Sequence, residues 1–182
     1  MARFGMTLSS EEHDPRALVE QASAAEAAGC DPVSISDHFH PWVTEQGHSP
    51  FVWSVLGALA EATDSIEVAV GVTCPTVRIH PAIVAHAAAT SALLLEGRFV
   101  LGLGTGEALN EHILGHRWPP PETRRAMLAE AVEVMRSLWT GETVDHDGDF
   151  YRVENARLFD VPEAGIPLVI PGLGQESAAS AA

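Results

Sequence analysis

The run Gly104-Thr105-Gly106-Glu107-Ala108-Leu109-Asn110 sets two glycines, a carboxylate and an amide directly behind the apolar stretch Phe99-Val100-Leu101. Glycine lets backbone approach a ligand closely. Glu107 offers a carboxylate, and Asn110 offers both a donor and an acceptor. The apolar stretch reads as a buried strand, and a glycine loop with an acid and an amide behind a parallel strand is how an α/β protein builds a site. Polar clusters also follow the earlier strand-like runs: Ser9, Ser10 and Glu11; then Asp37-His38-Phe39-His40-Pro41-Trp42; then Gly71-Val72-Thr73-Cys74-Pro75-Thr76. On one rim they gather carboxylates, histidines, hydroxyls and an indole. That set suits general acid–base work beside a bound planar ligand.

Each residue also has a structural reading. Gly104 and Gly106 can form a tight turn, and Asp37 can cap one. His38 and His40 project to opposite sides of an extended segment, so one at most faces a pocket; the reading favours His38 and leaves His40 to packing or solvent. Trp42 serves equally as loop anchor or ligand platform. Glu107 is hardest to explain structurally. His80 reads as a helix cap and His86 as a helix residue. His112 and His116 share i, i+4 spacing but lack the H-E-x-x-H order, and no metal site is expected. Asp145, Asp147 and Asp149 read as a solvated turn.

The elements that would position this rim alternate. Strand one is read at Arg3 to Thr7. Asp14-Pro15 then marks a helix start, and Gly29 its end. Pro32 to Ser36 is strand two, and Pro50 opens a helix ending near Thr63. Ile66 to Val70 is strand three, and an alanine-rich helix runs from Pro81 to about Leu95. Phe99 to Gly102 is strand four. Behind Pro119-Pro120-Pro121, Met127, Ala131, Met135 and Leu138 mark one apolar helix face. Asp147-Gly148, between Thr143-Val144 and Phe150 to Val153, predicts a hairpin. Pro167 to Ile170 is a fifth strand. Such alternation implies a parallel sheet, either open and doubly wound or part of a (β/α)8 barrel. A whole barrel takes roughly 250 residues, more than the 182 here.

Composition excludes several functions. Net charge is −15, all ten basic residues are arginine, and hydrophobic residues make up 46%. So acidic a chain repels nucleic acid and anionic membranes. Without lysine there is no Schiff-base lysine and no Walker-type phosphate lysine. No apolar run approaches the roughly 20 residues of a membrane span. No signal-peptide pattern opens the chain, so a cytoplasmic location is expected. Cys30 and Cys74 are read as separate thiols.

The motif Ser36 to Trp42, then Cys74-Pro75-Thr76 with Arg78 and His80-Pro81, then Gly102 to Glu111, resembles the luciferase-like superfamily. Within it the resemblance is to deazaflavin-dependent oxidoreductases of the glucose-6-phosphate dehydrogenase type. Leu138-Trp139-Thr140-Gly141 and Tyr151-Arg152-Val153 fit the same family, and the resemblance runs from about residue 3 to 180. It implies an α/β fold of the (β/α)8 TIM-barrel type, here about the first five βα units, as one partial-barrel domain over 1–182 with a small hairpin insertion near 141–160. It implies coenzyme F420 at the C-terminal rim, hydride transfer between the coenzyme's C5 and a small, possibly sugar-phosphate substrate, and a homodimer.

By motif, the resemblance makes His38 an acid–base or intermediate-stabilising residue and Glu107 the acid near N1 of the ring. Trp42 and Glu11 would line the reacting centre. Asp37, Thr105, Gly106 and Asn110 would hold the coenzyme, with Cys74 contacting it by backbone. A non-proline cis peptide would fall at Gly71-Val72, beside the coenzyme. Gly174, Gln175, Glu176 and Ser177 would take the coenzyme's phosphate tail. The family's later strands, with the lysines and arginine that hold sugar phosphate and a further histidine, have no counterpart here, so the chain is expected to be a C-terminally truncated form. Two open strand edges would then favour self-association. The other readings are an FMN-dependent monooxygenase of the same superfamily, a non-catalytic remnant that only binds coenzyme or dimerises, and, disfavoured, a metal hydrolase.

Overall fold

The computed structural model describes residues 3–172. Five parallel strands form one sheet in the order β1 (Met6–Leu8), β2 (Pro32–Ile35), β3 (Glu67–Thr73), β4 (Phe99–Leu103), β7 (Leu168–Val169). The order follows the chain without reversing. A doubly wound sheet reverses at its switch point; consecutive staves of a (β/α)8 barrel do not. The helices α1 (Pro15–Ala27), α2 (Val52–Ala62), α3 (Pro81–Leu94) and α5 (Pro121–Leu138) join the strands, and a short α4 (Ala108–Glu111) follows β4. An antiparallel hairpin, β5 (Val144–Asp147) with β6 (Arg152–Ala156), stands between α5 and β7.

One core runs between sheet and helices. Leu8, Val33, Ile35, Val68 and Leu101 meet Leu18, Leu56, Leu59, Val84 and Leu138 in it. Each fully buried aliphatic side chain contributes roughly 1.5–3 kcal/mol. The alanines of α3 bring that helix close to α5, and Trp139 Nε1 donates to Ala85 O at 3.0 Å across the joint.

The caps act as the sequence leads one to expect. Asp14 Oδ1 accepts from Arg16 N at 2.8 Å and Ala17 N at 3.1 Å. His80 Nδ1 accepts from Ala82 N at 3.2 Å. Burial lowers the His80 pKa, which favours the neutral ring that this acceptor role needs.

Two strand boundaries and one helix face differ most from the sequence reading. β1 begins at Met6 rather than Arg3: Pro32 has no N–H to donate, so the ladder starts at the Met6–Val33 pair. β3 continues past Val70 to Thr73, because its register slips against β4 between Val70 and Thr73 and pairing resumes beyond the slip. The Gly71–Val72 peptide within that segment is cis. Opposite it, a Cβ on Gly102 would lie 2.2 Å from Val70 O, so only glycine fits. On α5 the buried face is Leu128, Ala131, Val134, Met135 and Leu138, with Met127 displaced to the half-buried margin.

The face opposite the rim is stapled by two polar residues. Arg98 donates to Thr63 Oγ1, Thr63 O and Ile66 O at 2.9–3.1 Å. Glu26 accepts from Asp64 N, Ser65 N and Ile66 N, with its closest contact, to Ser65 N, at 2.6 Å. The Ser65 amide leads these donors in lowering the Glu26 pKa from 4.5 to about 2. The folded pKa lies below the unfolded one, so Glu26 stabilises fully above about pH 4.5 and ceases to as pH falls through about 2. Glu26→Gln should therefore flatten the acid limb of a stability-versus-pH curve in that window, as read by urea denaturation. An unchanged slope would remove Glu26 from the acid response.

Candidate active site

A cavity of about 520 Å³ opens at the carboxyl ends of β2, β3 and β4. Asp37 and His38 line it from the end of β2, Val72 and Cys74 from β3, and Gly104 to Glu107 with Asn110 and Glu111 from the loop after β4. Leu128, Val132 and Arg136 of α5, with Ile170 and Pro171 behind β7, form the opposite wall. The volume falls in the range of small-molecule and cofactor sites.

His38 is the cavity's imidazole. Its Nδ1 lies 2.6 Å from Glu11 Oε1, with both side chains largely buried. Ser36 Oγ donates to the same Glu11 oxygen at 2.6 Å, and Ser10 and Ser36 hydroxyls pair at 2.7 Å. A carboxylate at Nδ1 fixes the ring's orientation and leaves Nε2 to meet a ligand. Trp42 meets the His38 ring edge-to-face at 5.1 Å between centroids. His40 turns away: its Nδ1 approaches Leu109 O at 3.1 Å and its ring stacks on His112.

Asp37 belongs to a second buried group. Arg78 Nη2 lies 2.9 Å from Asp37 Oδ1 and donates to Asp37 O at 3.1 Å. Thr73 Oγ1 donates a hydrogen bond to Asp37 Oδ2. Arg78 also reaches Glu111, its Nε donating to Oε1 at 3.3 Å and its backbone N to Oε2 at 2.7 Å. Burial pushes the Glu111 pKa up, an effect that these Arg78 bonds oppose and the Asp37 charge reinforces. Burial first, then Glu111 and Asp37, raise the Cys74 thiol far above its usual range. Cys74 is therefore neutral and no nucleophile.

Glu107 stands exposed on the cavity lip as the residue before α4. Gly106, at φ +80°, turns the chain there, and Arg124 Nη1 donates to its carbonyl at 3.1 Å. The Arg124 guanidinium lies 4.6 Å over the Trp118 ring. Asn110 Oδ1 accepts from Phe39 N and His40 N at 2.8 and 2.9 Å, tying the β2 loop to the β4 loop. The amide nitrogen of Asn110 takes no part in that tie.

The structure thus brings Asp37, His38, Val72, Cys74, Thr105, Gly106, Glu107 and Asn110 to one cavity. The described cavity wall includes neither Glu11, Trp42 nor Gly71. Glu11 sits behind His38, Trp42 beside it, and Gly71 lies solvent-exposed in β3. Gly174, Gln175, Glu176 and Ser177 lie outside the described residues. His112 Nδ1 approaches Ala108 O at 2.7 Å, and Asp145 and Asp147 bond within the hairpin. Sequence reasoning gave no role to the Arg78–Glu111 link. The available signal was the one arginine of the Cys74 to Pro81 motif and the second glutamate of the Gly102 to Glu111 motif in a lysine-free chain.

A family model described as luciferase-like monooxygenase matches residues 1–182. Among curated proteins, an F420-dependent glucose-6-phosphate dehydrogenase of Mycobacterium avium (strain 104) is 47% identical over 174 residues, covering 94% of this chain and 52% of the relative. One of the same description from Mycolicibacterium smegmatis (strain ATCC 700084 / mc(2)155) is 46% identical over 174 residues, with the same coverage. The chain therefore spans about half the length of the curated relatives it matches. Among solved structures, an F420-dependent secondary alcohol dehydrogenase in complex with an F420-acetone adduct superimposes with a TM-score of 0.94 at 37% identity, over 98% of this chain and 55% of that one. Those barrel relatives and the unreversed strand order agree on a partial (β/α)8 barrel.

Proposed function

The chain belongs to the luciferase-like monooxygenase family, and we propose that its rim cavity binds coenzyme F420 and serves hydride transfer from the carbinol carbon of a small alcohol or sugar phosphate. The residues present fit a deazaflavin. Gly104 and Gly106 bring backbone to the cavity wall without side chains, Val72 and Leu128 supply apolar surface, and the Asn110 amide nitrogen remains for a polar edge of the ring. Asp37, Thr105 and Cys74 would complete the coenzyme's contacts. When bound, the coenzyme supplies the carbon that accepts the hydride.

The chain's own residues handle the protons. His38 Nε2 takes the hydroxyl proton as the substrate carbon loses hydride, and Glu11 at 2.6 Å balances the resulting imidazolium. Trp42 braces the ring from its edge. Glu107 places a carboxyl group at the other lip of the cavity. The Glu11–His38 pair on one side, with Glu107 on the other, is the observation that carries this reading. It is tested by anaerobic incubation of the chain with oxidised F420 and either glucose 6-phosphate or 2-propanol, following the deazaflavin's visible absorbance. Bleaching with either alcohol is the expected result; no bleaching with both contradicts a dehydrogenase.

The acidic surface and family membership support action in the cytoplasm as a single domain, away from nucleic acid and membranes. No helix of the described residues is long and apolar enough to cross a membrane. β1 and β7 each lack a partner on one side among the described residues; Met6 and Val169 are exposed on them, and Phe4 just before β1. Such edges favour a homodimer or other self-association. Light scattering should return a mass of at least two chains; a monomer would contradict this.

A further inference from the structure

We infer that Arg78 is the positioning residue of the rim, joining its three loops through one guanidinium and cancelling one of the two negative charges that Asp37 and Glu111 bring beneath the cavity. The geometry sets this role apart from an ordinary ion pair. Asp37 stands after β2, Arg78 after β3 and Glu111 after β4, so one side chain spans three loops that each line the cavity. Side-chain exposure is 0% for Asp37, 1% for Glu111 and 6% for Arg78, which leaves water little means to screen either carboxylate. The groups that meet this floor from the β3 end, the β4 loop and the hairpin are neutral or acidic apart from Arg78 itself. Cys74 faces the group from just behind β3, Glu107 from the β4 loop, and Tyr151 from the hairpin. Across the cavity, Arg125 and Arg136 line the α5 wall, Arg124 is held by the Gly106 carbonyl, and His38 pairs with Glu11.

Removing Arg78 would leave two buried carboxylates facing each other and the cavity. A cavity that carries one more negative charge repels an anionic ligand until a carboxyl takes up a proton. Resting on the deazaflavin reading, whose coenzyme is an anion, this gives a distinctive pattern. The Kd for F420 is measured by fluorescence for wild type, R78M and R78M/E111Q between about pH 5 and 8, with thermal unfolding of all three alongside.

R78M should bind roughly 10-fold or more weakly than wild type near pH 8. That ratio should shrink toward pH 5, and R78M/E111Q should recover most of the loss at pH 8. A purely structural brace predicts a pH-independent loss that E111Q leaves in place, and that result would overturn the inference. Should wild type itself fail to bind F420, the coenzyme reading fails while Arg78 is still judged by unfolding. The R78M deficit in Tm should then grow with pH and be relieved by E111Q. Should R78M not fold, a folded R78M/E111Q supports the charge role, and two equally unfolded variants overturn it.

Discussion

His38→Ala should lower turnover by about 10²–10⁴-fold, the usual contribution of a positioned general base, while F420 affinity changes little. The Glu11 carboxylate lies 2.6 Å from Nδ1, and the Ser36 hydroxyl holds Glu11 from behind. Such a chain of groups orients one imidazole nitrogen toward the cavity. Glu11→Gln keeps the hydrogen-bonding shape but removes the charge that stabilises the imidazolium, so its loss should be smaller than that of His38→Ala. Steady-state rates with saturating coenzyme compare the two. Equal and slight effects would show that proton transfer runs through another group.

Glu107→Gln should remove turnover by a comparable factor, about 10²-fold or more, with coenzyme binding largely kept. Glutamine retains the size and the polar tip of glutamate but cannot give or take a proton. Glu107 makes this test clean because it is exposed and is not among the buried residues that hold the fold together. Unchanged turnover would take Glu107 out of the mechanism. Lost binding with the rate per bound complex intact would make it a ligand contact instead.

Much of this arrangement is legible in the sequence because local chemistry writes it there. Asp14-Pro15 and His80-Pro81 announce helix starts through groups that satisfy backbone N–H within three residues. Asp147-Gly148 marks the hairpin turn, and the polar residues after each apolar run identify the rim. What escapes reading depends on partners distant in the chain. Arg78 meets Glu111 and Asp37 only once three strands are side by side, and no local pattern encodes that meeting. The start of β1 is set by Pro32, a residue of the strand it pairs with. The slip of β3 against β4 answers to Gly102 on the opposing strand. Glu11 and Trp42 illustrate a finer point: motifs bring both next to His38, yet only the folded chain reveals that one stands behind the imidazole and the other against its edge.

The most direct test of the account is a fluorescence titration of the purified chain with oxidised F420, with FMN run beside it under the same conditions. Saturable, micromolar binding of the deazaflavin and little or none of the flavin is the expected result, since the Asp37–His38 motif and the Glu107 carboxylate suit a deazaflavin. Binding of FMN in preference to F420, or of neither, would contradict it.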